Sequence, residues 1–396
     1  LGNRTRSARR EVTQRHLARA GRRRPALSRA TLPAPLLRGA RGAKVAAMIF
    51  SSDNWAGASE PVLAALLAAG RSGARPAYGD DDATRRLEAR ISEIFEREVA
   101  VLTVATGTAA NALSIAALAP PWGAVVAHEE AHLAVDECGA PEFFAGTRTI
   151  RLPGARGKLD AADLARRLEE MPRGLHHGEL SVLSLTSPNE YGLVYRPAET
   201  AALCEVARAH RLAVHLDGAR FANAIARLGC TPAEATWKAG VDLMSFGGTK
   251  GGCLMAEAIV AFDPARRDTI AYLRKRAGQL VSKHRLITAQ FDAWLDGGHW
   301  LALATHANAM ADALAETIAA SPRARLAWAP EANEVFVFMD EATAERLRAA
   351  GARFYDWSVA ALAPEDRPRD GEKLWRFVTS FATTPEEIAD VARTLA

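Results

Sequence analysis

Val214-His215-Leu216-Asp217-Gly218-Ala219-Arg220 is a short apolar run that stops on a carboxylate, a glycine and an arginine. A strand with so little polar content has no solvent face and belongs inside a sheet covered on both sides. Its terminal carboxylate then points into the crevice at the carboxyl edge of the sheet, where open α/β sheets bind ligands. Comparable runs occur at 99–104, 124–127, 147–151, 181–185, 243–246 and 258–262, separated by helical patterns such as Pro197–Ala209 and 231–239. This alternation predicts an α/β fold with a large, mostly parallel seven-stranded sheet. From 284 to 321 the pattern turns to amphipathic helix, with Ala289, Trp294, Leu301, Ala304 and Ala307 on its apolar face. Strands at 325–329, 334–339 and 374–379 and helices at 341–350 and 384–395 then predict a smaller α+β C-terminal domain. The expected division is a large domain with its N-terminal segment at 48–290, and a connecting helix with the small domain at 291–396.

With 396 residues, 49% hydrophobic and 24% charged, the chain is long enough for two packed domains of ordinary globular composition. No apolar run is long enough for a membrane span. Cys138, Cys204, Cys230 and Cys253 form no CxxC pair, which excludes a zinc ribbon or a disulfide framework and leads to the expectation of a reducing cytoplasm. The net charge of +4 is unevenly placed. Of 50 Lys and Arg, 13 lie in residues 1–47, together with one of the 46 acids, so the remainder holds 37 bases against 45 acids. Residues 1–47 have no apolar period, and the expectation is a disordered extension or upstream sequence read through as protein ahead of Met48. A transit peptide and an RNA-binding arm share that composition and stay open. For the acidic remainder no nucleic-acid partner is expected.

Four motifs carry chemistry. Lys250 lies in Ser245-Phe246-Gly247-Gly248-Thr249-Lys250-Gly251-Gly252, just past a buried strand, with glycines that let the backbone approach a ligand. A P-loop is excluded because no Gly-Lys-Ser/Thr stands at the required spacing. A lysine desolvated at a sheet edge can form an imine with a carbonyl. Asp217, at its strand end, can hold a pyridine nitrogen protonated, which makes the ring of pyridoxal phosphate an electron sink. Thr106-Gly107-Thr108-Ala109-Ala110-Asn111, between a strand and a helix, offers N–H groups and hydroxyls to a phosphate. Each has a plain alternative: a surface lysine in a glycine turn, a helix-capping aspartate, an ordinary N-cap. His128-Glu129-Glu130-Ala131-His132 spells HExxH, which would make a zinc hydrolase if it lay on a helix. Here it follows a strand and runs into Asp136-Glu137-Cys138-Gly139, so no metal is expected, and His132 becomes the candidate to stack on a cofactor ring.

The motifs in this order resemble the low-specificity L-threonine aldolases, of the aromatic amino acid beta-eliminating lyase/threonine aldolase family of pyridoxal-phosphate fold type I. The resemblance spans residues 49–396. It adds Ser52-Asp53, Tyr78-Gly79-Asp80-Asp81, Glu130-Ala131-His132 and Phe246-Gly247-Gly248-Thr249-Lys250. It implies Lys250 as the imine lysine, Asp217 as pyridinium partner, His132 as stacking ring, and Gly107 and Thr108 as the phosphate turn. Ser52, Arg220 and Arg376 are implied as carboxylate holders, a task that suits the guanidinium fork. Lys275, with Arg276, is implied to approach the phosphate of a neighbouring subunit, in a homo-oligomer arranged as a dimer of dimers. Ala105-Thr106 stands where many relatives have Pro-Ser, which leaves substrate preference open.

The activity so implied is retro-aldol cleavage of L-threonine or L-allo-threonine to glycine and acetaldehyde. A pyridoxal-phosphate β-eliminating lyase and a phenylserine aldolase are the alternatives from the same fold. The base for the β-hydroxyl is expected to be His132, His176 from the loop before the strand at 181–185, or a water they hold.

Overall fold

The computed structural model describes residues 48–396, and the Arg-rich stretch 1–47 lies outside the described residues. Seven strands form the large sheet: β1 (Ala100–Val104), β2 (Gly123–His128), β3 (Arg148–Leu152), β4 (Glu179–Thr186), β5 (Ala213–Gly218), β6 (Leu243–Gly247) and β7 (Glu257–Ala261). Their order is β1-β7-β6-β5-β4-β2-β3. The pairs are parallel except those of β7, which runs antiparallel to both β1 and β6. Strands β1, β2, β6 and β7 are buried along their whole length, as continuous apolar runs require, whereas the edge strand β3 carries exposed arginines.

Each of the seven runs forms a strand where expected. The helix expected at 231–239 does not form. Turns and the short 3-10 helix Trp237–Ala239 replace it, with Thr236 at φ −128°, ψ −105°. The Trp237 indole donates to Phe95 O at 2.7 Å and the Thr236 hydroxyl donates to Pro232 O at 2.6 Å, so tertiary anchoring overrides helix propensity. The amphipathic stretch is two helices, Arg285–Leu295 and His299–Ala319. They are divided at Gly297 and Gly298, whose φ of +56° and +75° a side chain would resist.

A second, antiparallel sheet follows: β8 (Arg325–Leu326), β9 (Glu334–Asp340), β10 (Tyr355–Asp356) and β11 (Glu372–Val378), in the order β10-β11-β9-β8. The two-residue, exposed β10 has no period to betray it. Met48 and Phe50 are buried in the core of this sheet. Phe50 N donates to Arg353 O at 2.8 Å and Val378 N to Phe50 O at 2.9 Å. Ser51, Ser52 and Asp53 are thereby carried to the junction of the two sheets.

Under the large sheet, Phe246 of β6 has Phe95, Phe221, Phe291, Trp294 and Trp300 around it at centroid separations of 5.5–6.0 Å. This cluster fixes the end of β6, from which the Lys250 segment departs. At Gly247 the fit is close: a Cβ there would meet the Ala219 backbone at 2.7–2.8 Å. Gly247→Ala is therefore expected to destabilise the protein by about 1–3 kcal/mol in urea unfolding. Gly70→Ala, in open space on the helix Glu60–Arg71, should instead stabilise it by about 0.5 kcal/mol. Equal midpoints for the two variants would refute the packing argument.

Candidate active site

Lys250 rides on the nine-residue loop 248–256 that joins β6 to β7, and almost every turn of that loop is tied down. Gly248 N donates to Ala256 O and Cys253 N to Gly248 O, both at 3.0 Å, and Ala256 N donates to Thr249 Oγ1 at 3.2 Å. Outside the loop, Gln290 Oε1 accepts from Leu254 N and Met255 N, and Trp294 Nε1 donates to Gly251 O at 2.8 Å. The glycine at 251 is what admits Trp294, whose ring would lie 2.7 Å from a Cβ. Burial, and then the Arg220 charge, hold the Lys250 ammonium below its ordinary pKa, against the pull of Asp53 and Asp217. A lysine in that condition is readily deprotonated, as a nucleophilic amine must be.

Asp217 ends β5, beside Thr186 of β4. Its Oδ1 accepts from Ala219 N at 3.0 Å and its Oδ2 from Asn111 Nδ2 at 2.8 Å. The same amide donates to Glu137 Oε1 at 2.8 Å, and His132 Nδ1 lies 2.8 Å from that oxygen. One amide thus links the strand-end carboxylate to a buried glutamate that orients the imidazole. The Glu137 hydrogen bond raises the His132 pKa against the effect of burial. Below Asp217 in the strand, His215 bonds Ser184 Oγ and Ser245 Oγ, and burial pushes it down to about 4, so it stays neutral.

The turn at Thr106 opens the helix Gly107–Leu118. Thr106 Oγ1 accepts from Ala109 N at 3.1 Å, leaving the Gly107 and Thr108 end of the helix toward the cavity. Gly107 has open space around its Cα. An anion there is stabilised by unpaired N–H groups and the helix dipole.

The opposite wall is a cluster of buried charges. Arg220 donates from Nε to Asp53 Oδ2 at 2.7 Å and from Nη2 to Asp53 Oδ1 at 3.1 Å, while its Nη1 lies 3.7 Å from Glu334 Oε2. Asn333 Nδ2 adds a bond to Asp53 Oδ2. Burial alone would raise the Asp53 carboxyl, but Arg220 and Lys250 outweigh it and hold it below the ordinary value. Arg376 of β11 lies 3.5 Å from Glu334 Oε1 and stacks over the Trp357 ring at 3.8 Å. Ser52 caps the turn beginning at Asp53 by accepting from Asn54 N.

These groups line one cavity of about 840 Å³: Ser52, Thr106, Gly107, Thr108, Asn111, His132, Asp217, Arg220, Lys250 and Arg376, with Glu190, Glu257 and Trp357. Two expected residues are not brought there. His176 is exposed three residues before β4, hence at the amino edge of the sheet, about 25 Å of strand from the site at 3.3 Å per residue. It is not the β-hydroxyl base of its own chain's site. Lys275 is exposed, with Nζ 5.2 Å from the Tyr78 ring centroid, outside the cavity lining. The HExxH spelling is structural. One nitrogen of His128 contacts Gly154 O and the other accepts from Glu130 N, so both are occupied, and no metal-binding cluster occurs among the described residues. Sequence reasoning passed over Asn111, Glu137, Asp53, Glu190, Glu257 and Glu334. Asn111 had a signal, since it lies one helical turn after Gly107 on the same face.

Three buried polar atoms on the cavity side, Asn111 Oδ1, Glu137 Oε2 and Thr186 Oγ1, have no protein partner, as suits a pocket for a polar ligand. Helix terminus, strand-end carboxylate and deprotonable lysine match the phosphate, pyridine nitrogen and aldehyde of pyridoxal phosphate. Residues 50–342 match the model of the beta-eliminating lyase family. The low specificity L-threonine aldolase of Pseudomonas aeruginosa is 40% identical over 87% of this chain and 96% of its own length. The chain belongs to the beta-eliminating lyase/threonine aldolase family. The low specificity L-threonine aldolase of another Pseudomonas is 41% identical over 87% of this chain and 95% of that protein. A solved structure of the Leishmania major threonine aldolase superposes with a TM-score of 0.80 at 26% identity, covering 88% of this chain and 98% of that one. The fold is accordingly type I of the pyridoxal-phosphate enzymes.

The Asp53–Arg220–Glu334 cluster has a measurable consequence for this family member. Removing the guanidinium leaves the buried Asp53 carboxylate without its bidentate partner, so Arg220→Met should cost about 3–5 kcal/mol of stability at pH 8. In the wild type, the stabilisation from Asp53, whose pKa is depressed, is present above its unfolded value of 3.8 and lost as pH falls below it. In the variant, burial raises the Asp53 carboxyl, so it takes up a proton and the deficit narrows toward pH 5. Urea unfolding at the two pH values checks this, and a pH-independent deficit would contradict it.

Proposed function

We propose that the chain is a pyridoxal-phosphate-dependent aldehyde-lyase that cleaves L-threonine and L-allo-threonine to glycine and acetaldehyde. The observation that carries the reading is the convergence, in one cavity, of a lysine with depressed pKa, a strand-end carboxylate, a helix N-terminus and two guanidinium groups. The Pseudomonas relatives, which match over nearly their whole length, bear the name of that activity.

In this reading Lys250 supplies the amine that holds the cofactor's aldehyde. Gly107 and Thr108 bind its phosphate, Asp217 keeps a proton on the pyridine nitrogen, and the His132 ring, turned by Glu137, covers its face. When bound, the cofactor supplies an electron sink for the pair released as the Cα–Cβ bond breaks. Arg376, Ser52 and the Nη1 group of Arg220 hold the substrate carboxylate. Arg220 has its other donors on Asp53 at 2.7 and 3.1 Å, whereas the Arg376 donors meet Glu334 Oε1 and Ser51 O only at 3.5 and 3.4 Å, so Arg376 is the freer carboxylate ligand of the two.

Residues 48–290 and 291–396 act as large and small domains whose junction is the substrate cavity. The assembly is a homo-oligomer, a dimer of dimers, in which Lys275 reaches the phosphate of a neighbouring subunit. Exposed Tyr272, Tyr78, Leu254 and Met255 support such a contact, because large apolar side chains so exposed are interface signals. Free cysteines, two of them buried, suit a cytoplasmic setting. Among the described residues no helix is long and apolar enough to cross a membrane.

Purified protein should release glycine and acetaldehyde from L-threonine, and Lys250→Ala should lose the visible absorption of bound cofactor and at least about 10³-fold in kcat/KM. Assays with the four threonine stereoisomers, phenylserine and a substrate bearing a β-leaving group set the preference. Cleavage by Lys250→Ala at the wild-type rate, or β-elimination without aldehyde release, would overturn the reading.

A further inference from the structure

Besides Glu190, five carboxylates line the cavity: Asp136, Glu137, Asp217, Glu257 and Asp356. Four of them are disqualified from proton transfer to a substrate by place or by partner. Asp136 and Asp356 are exposed to solvent. Glu137 already accepts from Asn111 and faces His132, and Asp217 accepts from Asn111 and Ala219. Glu257 accepts from Thr249 N at the foot of the Lys250 loop and starts β7, on the lysine's side of the cavity. Glu190 stands on the other side, in the segment after β4. Its side-chain hydrogen bond is from main chain: Oε1 accepts from His132 N at 2.7 Å.

We infer that Glu190 is the group that removes the β-hydroxyl proton of the substrate. This rests on the aldol-cleavage reading and names a residue that reading left open. The charges facing Glu190 come from every neighbouring element. They are Asp217 from the end of β5, His132 from its short helix, Arg220 from the turn after β5 and Arg376 from β11, with the Tyr191 and Tyr195 phenols beyond it in its own segment. Glu190 thus shares one cavity wall region with both the cofactor anchors Asp217 and His132 and the carboxylate-binding guanidiniums of Arg220 and Arg376, within whose reach a β-substituent must lie.

Burial, reinforced by the Asp217 carboxylate, pushes the Glu190 pKa up to about 7. A carboxyl poised there can both accept and release a proton near neutral pH, whereas one with an ordinary value is too weak a base. His132 has its Nδ1 held by Glu137, and its positive charge favours the ionised form of Glu190. In the step, the Glu190 carboxylate takes the hydroxyl proton and the O–H electron pair becomes the second bond of the aldehyde carbonyl. The Cα–Cβ bond breaks, and its electron pair stays with the glycine fragment. Aldehyde leaves, Cα takes up one proton to complete glycine, and Glu190 returns its proton to water. One proton is removed and one is added per turnover.

The test uses the holoenzyme and separates proton removal from binding. Glu190→Gln should lower kcat/KM for L-threonine by at least about a hundredfold and abolish the acid-side limb of its pH profile near pH 7. Exchange of the glycine Cα proton with D2O, which involves no hydroxyl, should stay within about threefold of wild type, as should the glycine Kd read from the change in visible absorption. Glu190→Asp should keep a displaced acid limb. Threonine cleavage by Glu190→Gln within threefold of wild type overturns the inference. Equal loss of cleavage and exchange also overturns it, by showing that Glu190 only props up His132. Should Glu190→Gln not fold, Glu190→Asp decides, since an unmoved limb excludes Glu190 as the titrating base. Failure of the wild type itself to cleave L-threonine sinks the aldol reading instead.

Discussion

The bidentate pair between Asp53 and Arg220 is the constraint on which the site depends. Asp53 comes from the N-terminal segment, Arg220 from the turn after β5, and Asn333, Glu334 and Arg376 from the small antiparallel sheet. Two carboxylates and two guanidiniums balance in charge, and hydrogen bonds repay much of the desolvation that burial imposes. Such a cluster tolerates only one relative position of its parts. It therefore sets the distance between the wall that carries Lys250 and the wall that carries Arg376, a distance no single sheet could fix.

The electrostatics of the cavity follow from that cluster. Burial, and then Arg220, lower the Lys250 pKa, while Asp53 and Asp217 limit the effect. Burial then raises two carboxyls, Glu190 and Glu257, to about 7, on opposite sides of the lysine and the strand-end aspartate. Proton-transfer groups matched to neutral pH are thus present on both sides without any group leaving its backbone anchor.

Much of this was legible in the sequence, for identifiable reasons. The large sheet could be read because its inner strands are buried on both faces and so appear as unbroken apolar runs. Lys250, Asp217 and Thr108 could be read because each directly follows such a run. Partners brought in from afar could not be read: Asn111 meets Asp217 across 106 positions, and Glu334 meets Arg220 only after a second sheet is built. The region 231–239 has the composition of a helix, but one indole bond to Phe95 decides otherwise. His176 stays outside its own chain's cavity, and a rule that foretells this was available. A loop that precedes a parallel strand lies at the amino edge, opposite the edge where the site forms. The HExxH spelling likewise gives way to geometry, because His128 ends a strand and uses both nitrogens on backbone.

Because β7 runs antiparallel, the loop that carries Lys250 is a hairpin with both ends sewn into the sheet, and Gln290 and Trp294 fasten it midway. An amine on a loose loop would wander once released from its carbonyl partner. Here the loop ordering has already been done by folding, so in the proposed role a freed Lys250 amine would stay at high effective molarity beside the carbonyl it is to hold. In that role the motion asked of Lys250 would be rotation of its side chain and not movement of the tethered backbone.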